Sequence, residues 1–379
     1  MDLDFNEEQV MLRDTARGLC AELSPSAIVR AMETDEAGYS APFWSQLSEL
    51  GITSLGIPEA HGGMAWGALE MAIVYEEFGR SLAPSPHWAS CVLSAKLLEL
   101  AGSDAQQAQW LPGIASGESI IVPASLEPKN GYGPEGIQLR AVKQGDGYVL
   151  NGTKLMVQYA SSANRLIVLA RTGEGVTDVA GLLVDPQAAG VTLKRERNHA
   201  DDTLFQVDFN GVTVAAADVL AVNNFWGAWE EAMTRSIVAQ AAQAIGAAEA
   251  IHAMTTDYSK QRVQFGKPIG SFQAIAHYLA DLIVKIEGAK VLVYQAAWAM
   301  DNFSKTGKPY EKLALQAKLQ ACNTFREASA TGVQIHGGFG FTSEGDPQLY
   351  FRRAKHWQLT NWDTAYLEKK VAALILDVA

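Results

Sequence analysis

Apolar residues near the start of the chain recur at the spacing of an amphipathic helix. Leu12, Ala16 and Leu19 fall on one face when the chain is wound at the helical period. Asn6 is followed three residues later by Gln9, which is the spacing of a capping box at a helix amino terminus. The sequence therefore predicts that the first third is helical, with Pro- and Gly-containing segments between the helices.

From about residue 119 to residue 222 the pattern changes to short runs rich in β-branched and aromatic residues. Residues 166–169 and 205–209 are two such runs. The pairs Asp146-Gly147 and Asn151-Gly152 have the composition of two-residue hairpin turns. We therefore predict a β domain of short strands, with hairpins at both pairs.

After Asn223 the chain returns to long helical patterns. Apolar and small residues recur at helical spacing across residues 239–249 and again across residues 313–325. The run of small residues at 239–248 indicates close packing between helices rather than a binding site. The order along the chain is thus helices, then a sheet, then helices.

Composition and charge exclude several classes of protein. The chain has 379 residues and a net charge of −12, without the clustered Lys and Arg that nucleic-acid binding requires. Its three cysteines lie far apart, which indicates neither a disulfide framework nor a metal site and is typical of a reducing cytoplasm. Glu7 and Glu8 have the wrong charge for a signal peptide. No apolar run reaches the roughly 20 residues of a bilayer span, so no membrane partner is expected.

Two segments in the last third carry the most specific chemistry. They are Arg262-Val263-Gln264-Phe265-Gly266, followed by Phe272-Gln273, and Gln334-Ile335-His336-Gly337-Gly338. A dinucleotide pyrophosphate is bound by a bidentate cation such as an arginine, and by backbone that glycines allow to approach closely. Either segment alone is typical of a surface ion pair or a turn. Together, in this order and spacing, they resemble the paired flavin-binding signature of the acyl-CoA dehydrogenases.

The resemblance covers essentially the whole chain and implies its fold. That fold is α+β and multidomain, with an N-terminal α-helical domain at 1–118, a central β-barrel or sandwich domain at 119–222 and a C-terminal four-helix bundle at 223–379. It also implies FAD as the cofactor. In the family reaction a carboxylate removes the α-proton of an acyl-CoA thioester while a hydride leaves the β-carbon for the flavin. The residues implied to bind FAD are Arg262, Gln264, Phe265, Gln273, Gln334, His336, Gly337 and Gly338.

The catalytic base of the family is not found at its expected positions. It is usually the Glu of a Tyr-Glu-Gly-Thr segment, but counting from Lys355 places Asn361 there, and an amide cannot act as this base. Some members carry the base in the long helix before Arg262, and this chain has Ser236 at that position. Asp363 is a possible displaced base, although a solvated surface carboxylate is the more ordinary interpretation. The catalytic residue therefore stays unknown.

Two segments of the β region also depart from the family. Members usually show Thr-Glu-Pro and Lys-x-Trp-Ile-Thr-Asn, whose threonines and backbone groups meet the flavin ring. This chain has Leu126 in place of the first threonine, and Met156 and Gln158 in place of the Trp and the second threonine. These changes remove hydroxyl donors from the predicted flavin contact.

The segments that match the family pattern and the segments that depart from it serve different flavins in the family. The two specific segments described above reach the FAD of the neighbouring protomer, whereas the altered segments serve the protomer's own flavin. The pattern favours one subunit of a hetero-oligomeric dehydrogenase that completes the FAD site of a related subunit. Such pairs are known for steroid side-chain and dicarboxylic acyl-CoAs, and the residues around His336 resemble that bacterial branch.

Two alternatives stay open from the sequence. One is a self-sufficient dehydrogenase with a relocated base, forming a homo-tetramer. The other is a non-catalytic scaffold that keeps the fold and an interface. The partners that the resemblance implies are an acyl-CoA substrate, a related dehydrogenase subunit in a hetero-tetramer or a second copy of this chain, and an electron-transfer flavoprotein as electron acceptor.

Overall fold

The first third is helical in the computed structural model, which describes residues 4–129, 131–220, 222–307 and 309–376. Asn6 Oδ1 accepts from the Gln9 backbone N–H at 2.8 Å, and Gln9 Oε1 accepts from the Asn6 N–H at 3.1 Å. The predicted capping box is therefore confirmed. A π-helical segment at Trp88–Ser94 runs into α5. The helices are α1 (Glu7–Leu23), α2 (Ser26–Met32), α3 (Ala41–Glu49), α4 (Ala68–Arg80), α5 (Ala95–Ala101) and α6 (Asp104–Ala115).

The middle of the chain forms one seven-stranded sheet in the order β1-β4-β2-β3-β7-β6, with β5 paired to β4. Most neighbouring strands are antiparallel, but β4 runs parallel to both β1 and β2. The predicted run at 166–169 lies in β4, where all four residues are buried, and the run at 205–209 lies in β7. The strands are β1 (Ile121–Ala124), β2 (Arg140–Gln144), β3 (Gly147–Gln158), β4 (Arg165–Arg171), β5 (Val179–Val184), β6 (Val191–Glu196) and β7 (Leu204–Val214).

One of the two predicted hairpins is present and the other is wrong. Gln144 pairs with Gly147 across β2 and β3, so the turn consists of Gly145 and Asp146, one position earlier than the predicted pair. Asn151-Gly152 instead lies inside β3, where the register with β7 shifts. Asn151 Oδ1 accepts from the Gly211 N–H at 2.8 Å, and Gly152 has a φ of +145°. The pair therefore forms a β-bulge, which uses the same residue types as a turn.

The last part of the chain is helical apart from one short hairpin. The 37-residue α7 is followed by the β8–β9 hairpin and by the long helix α8. Its elements are α7 (Phe225–Gln261), β8 (Val263–Gln264), β9 (Lys267–Pro268), α8 (Gln273–Asp301), α9 (Phe303–Thr306), α10 (Glu311–His336), α11 (Pro347–Leu359) and α12 (Thr364–Leu376).

Contacts within the chain group it into two units. The helical unit comprises Met1–Val29, Gly67–Ala83 and Ile237–Ala379, and the sheet unit comprises Arg30–Trp66 and Pro84–Ser236. The helices of the first third are thus divided between the two units. The boundaries of the three sequence domains stay a prediction.

Within the helical unit α4 and α7 pack with their backbones in contact. A Cβ added to Gly246 would lie 1.8 Å from the carbonyl oxygen of Glu76, and one added to Gly79 would lie 1.8 Å from that of Gln243. Such an approach is possible only without side chains at these two positions. The prediction that the small-residue run serves close helix packing is therefore confirmed.

A buried ion network ties α4 to α7 and α8. Glu76 accepts from Arg80 at 3.2 Å, from Lys290 at 2.9 Å and from the Tyr294 hydroxyl at 2.7 Å. Glu249 accepts from Lys290 at 2.8 Å. Each buried carboxylate thus has cationic and hydrogen-bonding partners, which offset the cost of removing it from water.

Cys20, Cys91 and Cys322 are buried free thiols. Among the described residues no helix is both long enough and apolar enough to cross a membrane.

Candidate active site

The first signature segment lies on an exposed hairpin that begins where α7 ends. Val263 pairs with Pro268 and Gln264 with Lys267, so the turn is Phe265-Gly266. Both turn residues have positive φ, +53° and +80°, as the favoured two-residue hairpin turn requires. Phe265 is 92% exposed. A large apolar side chain held in this way at the tip of a hairpin is suited to contact another molecule.

The polar side chains of this segment are also exposed. The Arg262 guanidinium makes no hydrogen bond or ion pair with the residues that the structure describes, and the Gln264 amide donates only to the adjacent Val263 carbonyl. Gln273 is the first residue of α8, and no side chain caps that helix. A free guanidinium and an uncapped helix amino terminus both favour an anion.

The second signature segment is the end of α10 and the loop that follows it. Gly337 has a φ of +63°, and a Cβ added to Gly337 or Gly338 would meet nothing within 4 Å. Gln334, Gly337 and Gly338 are exposed. The backbone of this loop is therefore open to a ligand that approaches from outside the chain.

His336 differs from the other predicted cofactor residues because its side chain is buried. Its Nδ1 lies 2.8 Å from the Gly332 carbonyl, so Nδ1 carries the proton and donates it. Burial lowers the pKa of His336, which keeps the ring neutral at neutral pH. The imidazole thus holds the helix end, and any direct contact of this side chain with FAD stays a prediction.

Tyr258 brings the two signature segments together. Its ring stacks on that of His336 with the centroids 4.3 Å apart. Tyr258 lies one helical turn before Arg262, and His336 directly precedes Gly337. The stack therefore places the end of α7 beside the end of α10. Nothing in the motif pattern indicated Tyr258, because its role depends on a contact between distant parts of the chain.

The loop between α11 and α12 contains Asn361, where the resemblance leads us to expect the family's base. Asn361 has a φ of +53°, and its Nδ2 is buried without a hydrogen-bond partner among the described residues. Asp363 Oδ1 accepts from the Tyr366 N–H at 2.8 Å, which is the contact of an N-cap at the start of α12. Asp363 thus has a structural contact of its own, and its role as a displaced base stays a prediction.

The alternative position of the base, in the sheet unit, is occupied by a satisfied hydroxyl. Ser236 is buried, and its Oγ donates to the Ala232 carbonyl at 2.7 Å. Its own carbonyl accepts from the Trp88 indole at 2.9 Å. No described carboxylate bonds to Ser236, so nothing there could activate the hydroxyl.

The altered segments of the sheet unit surround a buried ion pair. Glu127 accepts from Lys154 Nζ at 2.6 Å and from the Gln138 and Leu139 N–H groups at 3.0 Å. Burial lowers the pKa of Lys154 to about 8, and Glu127 opposes that shift. Met156 has a φ of +55° and lies at a register shift of β3. The two altered segments are thus held together by this ion pair, although the expected threonine hydroxyls are missing from them.

Lys318 is a site residue that the sequence analysis missed. It is buried on α10 and donates to the carbonyl oxygens of Thr360 and Asn361. Its spacing in the sequence could have indicated that it is buried, since Lys318 falls on the same face of α10 as Leu315 and Cys322.

The exposed groups fit the diphosphate of a dinucleotide. The Arg262 guanidinium, which has no partner among the described residues, the start of α8 and the open Gly-Gly backbone supply the charge and the N–H donors that such a group needs. When bound, FAD would supply the redox chemistry.

Family models match most of the chain. The model described as acyl-CoA dehydrogenase, N-terminal domain, matches residues 6–118, that of the middle domain matches residues 124–210 and that of the C-terminal domain matches residues 226–361. Acyl-CoA dehydrogenase IpdE2 of Mycobacterium tuberculosis is 34% identical, over 92% of this chain and 91% of that protein.

Solved structures of similar proteins share the whole fold. The ChsE4-ChsE5 complex from Mycobacterium tuberculosis aligns with a TM-score of 0.89 and 26% identity over 100% of both chains. Butyryl-CoA dehydrogenase from Megasphaera elsdenii aligns with a TM-score of 0.89 and 28% identity, over 99% of this chain and 100% of that one. The three-domain fold expected from the sequence is thereby confirmed.

Proposed function

Since this chain belongs to the acyl-CoA dehydrogenase family, whose members are FAD-dependent oxidoreductases, we propose that it works as one subunit of a hetero-oligomeric dehydrogenase. In this proposal the chain completes the FAD site of a related subunit. The cofactor contacts come from the end of α7, the β8–β9 hairpin, the start of α8 and the loop after α10.

The observation that carries the proposal is the exposure of the first signature segment. Phe265 is 92% exposed, and the Arg262 guanidinium has no partner among the described residues of its own chain. A pyrophosphate held by another subunit would supply the anion for Arg262. The neighbouring surface would cover Phe265. Gly337 and Gly338 would then offer backbone N–H groups to the same ligand.

The lack of a carboxylate at either expected position of the base supports a complex whose two subunits have different roles. Proton removal from the α-carbon needs a carboxylate, whereas Asn361 is an amide and Ser236 is a satisfied hydroxyl. In this proposal the related subunit supplies the base for its own flavin. The similarity of this chain to a structure of the ChsE4-ChsE5 complex supports an association of two different chains.

The substrate and the acceptor follow from the family by analogy. We assign an acyl-CoA as the substrate, with a steroid side-chain or dicarboxylic acyl group as the hypothesis, and an electron-transfer flavoprotein as the acceptor. A cytoplasmic location stays a prediction from the sequence.

The test is the flavin content of the chain purified alone and after co-expression with a related dehydrogenase chain from the same genome. We expect no bound flavin in the first preparation and about one flavin for each pair of chains in the second, because each FAD site is built from two subunits. One flavin per chain in the first preparation would overturn the proposal in favour of a self-sufficient enzyme. A flavin-free mixture would favour a scaffold.

Arg262→Ala tests the cofactor contact within the mixed complex. We expect the variant to lose FAD on gel filtration, with an affinity about tenfold lower or more, because the charge-assisted contact to phosphate is gone. Arg326→Ala, which removes an exposed arginine from α10, is the matched control and should retain FAD. Equal retention by both variants would contradict the assignment of Arg262.

A further inference from the structure

Lys318 lies fully inside the helical unit, with 1% of its surface exposed. Its Nζ donates to Gln240 Oε1 on α7 at 2.9 Å, to the Thr360 carbonyl at 2.9 Å and to the Asn361 carbonyl. An ammonium has three N–H groups, and here each has an acceptor. Burial lowers the pKa of Lys318 to about 8, so the side chain is still a cation at neutral pH.

Two of these acceptors belong to the carboxyl-terminal end of α11. Thr360 is the C-cap of that helix, and Asn361 follows it. Both carbonyls lie beyond Leu359, the last residue of α11. Lys318 therefore holds the start of the loop that follows α11 from another helix, in a place that water does not reach.

The loop that Lys318 holds is conformationally unusual. Asn361 and the next residue, Trp362, both have left-handed backbones, with φ values of +53° and +69°. Residues other than glycine persist in this region only when their surroundings hold them there. The Trp362 side chain is 1% exposed, and Lys370 Nζ lies 4.8 Å from the centre of its ring. The loop is thus fixed by Lys318 through its carbonyls and by Trp362 through its side chain.

The buried Nδ2 of Asn361 is the second observation. It has no hydrogen-bond partner among the described residues. A buried donor without an acceptor is costly, and an acceptor atom of a ligand would remove that cost. Lys318 thus holds the backbone of Asn361, whose side-chain amide still lacks a hydrogen-bond partner among the described residues.

We propose that Lys318 is the positioning residue of the loop between α11 and α12. It fixes the turn at 360–362 and thereby sets where the side chain of residue 361 lies. The inference rests on the proposed function in one respect, namely that residue 361 occupies the position of the family's base. The contact itself needs no carboxylate, because the acceptors are main-chain carbonyls and one amide. The conformation of this loop can therefore be retained in a chain whose base is absent.

Hydrogen exchange, measured on the protein as purified, tests the positioning role. We expect amides of the 359–366 segment to exchange about tenfold faster or more in Lys318→Met, since the local opening of this loop becomes cheaper. Amides of α7 around Gln240 should stay protected. Lys318→Gln, which retains a neutral donor, should recover part of the protection. Lys312→Met, an exposed lysine on the same helix, is the matched control.

Uniform loss of protection across α7, α10 and α11 in Lys318→Met would overturn the proposal, because it would show a role in packing alone. So would unchanged exchange at 359–366. If Lys318→Met does not fold, the comparison of Lys318→Gln with Lys312→Met decides in the same way.

A double-mutant cycle tests the placement of residue 361. Asn361→Glu should lower the unfolding temperature less beside Lys318 than in the Lys318→Met background, since a nearby ammonium stabilises the new carboxylate. Absence of coupling would contradict the proposal. Neither readout involves flavin, so a failure of the proposed function, seen in the flavin stoichiometry, is distinguishable from a failure of this inference.

Discussion

His87 is an imidazole that the sheet unit buries and holds neutral. Its Nε2 lies 3.0 Å from the Ile52 carbonyl, so this nitrogen carries the proton and donates it. Burial lowers the pKa of His87 to about 4, and the bond to Ile52 opposes that shift only in part. A histidine exposed in the unfolded chain has a pKa near 6.5, so the two states bind protons differently in acid.

Stability should therefore fall in acid through His87. Between about pH 6.5 and pH 4 the unfolded state binds the proton and the folded state does not, so stability rises with pH in that window. Over the whole window the group accounts for about 3 kcal/mol at most. We expect His87→Gln to flatten the acid side of a plot of unfolding free energy against pH.

The control for this measurement is His61→Gln, since His61 is a half-exposed histidine of the same unit. The unfolding free energy of His61→Gln should depend on pH in acid as steeply as that of the parent chain. An unchanged slope in His87→Gln would show that other groups account for the acid sensitivity.

The sequence alone singled out the residues that stand in contiguous motifs. Arg262 and the Gly337-Gly338 pair could be singled out because charge and glycine stand at recognisable spacings. Lys318 and Tyr258 could not, because their partners lie 42 and 78 residues away along the chain. A lysine or tyrosine in a helical pattern is ordinarily a surface or packing residue, and only tertiary structure changes that interpretation.

At the element scale, the contact between α4 and α7 depends on two glycines. Gly246→Ala would raise intrinsic helix propensity by about 1 kcal/mol, yet its Cβ would lie 1.8 Å from a backbone carbonyl. The helices would have to move apart and disturb the ion network around Glu76. We expect a net destabilisation of about 2 kcal/mol, measured by urea unfolding.

Gly18→Ala is the matched control for this substitution. Gly18 lies inside α1, is exposed and has open space around the position of a Cβ. That variant should be stabilised by about 1 kcal/mol. Equal effects of the two substitutions would contradict the close approach of α4 and α7.

The elements themselves were predictable where one period dominates the sequence. The long helices α7 and α10 follow from apolar spacing, and the strands β4 and β7 from the runs at 166–169 and 205–209. The prediction of a hairpin at Asn151-Gly152 was wrong because turns and bulges require the same backbone freedom. Which of the two forms depends on the strand opposite, here β7, which local sequence does not reveal.

At the scale of the whole molecule, the helical unit leaves apolar side chains uncovered. Val284 and Val291 stand seven residues apart on α8 and are 71% and 46% exposed. Phe265 and Phe341 are also exposed, on the two signature segments. An apolar surface of this kind is typical of an interface between subunits.

We expect Val284→Lys to weaken association. A charge placed at the centre of an apolar interface loses its hydration without gaining a partner. The molar mass of the mixed complex, measured by light scattering at several concentrations, should fall toward that of single chains. Val142→Lys is the control, because Val142 is exposed on β2 of the sheet unit. Equal masses for both variants would show that α8 is not the interface.

The fold as a whole was predictable because the resemblance extends over the full chain. Helix, sheet and helix followed one another in the sequence as they do in the structure. The sequence did not reveal that the contacts of the first third are divided between two units. That division depends on packing between segments far apart along the chain, such as α4 on α7.

The burial of all three cysteines has a practical consequence for experiments. Burial raises the pKa of the Cys20 thiol to about 12 and also raises those of Cys91 and Cys322. Only the thiolate reacts with maleimides, so the native thiols will be nearly inert at neutral pH. In a Phe265→Cys variant, the introduced thiol would then be the one that reacts with a maleimide dye. Fluorescence from that single label could report directly when the hairpin tip becomes covered by another subunit.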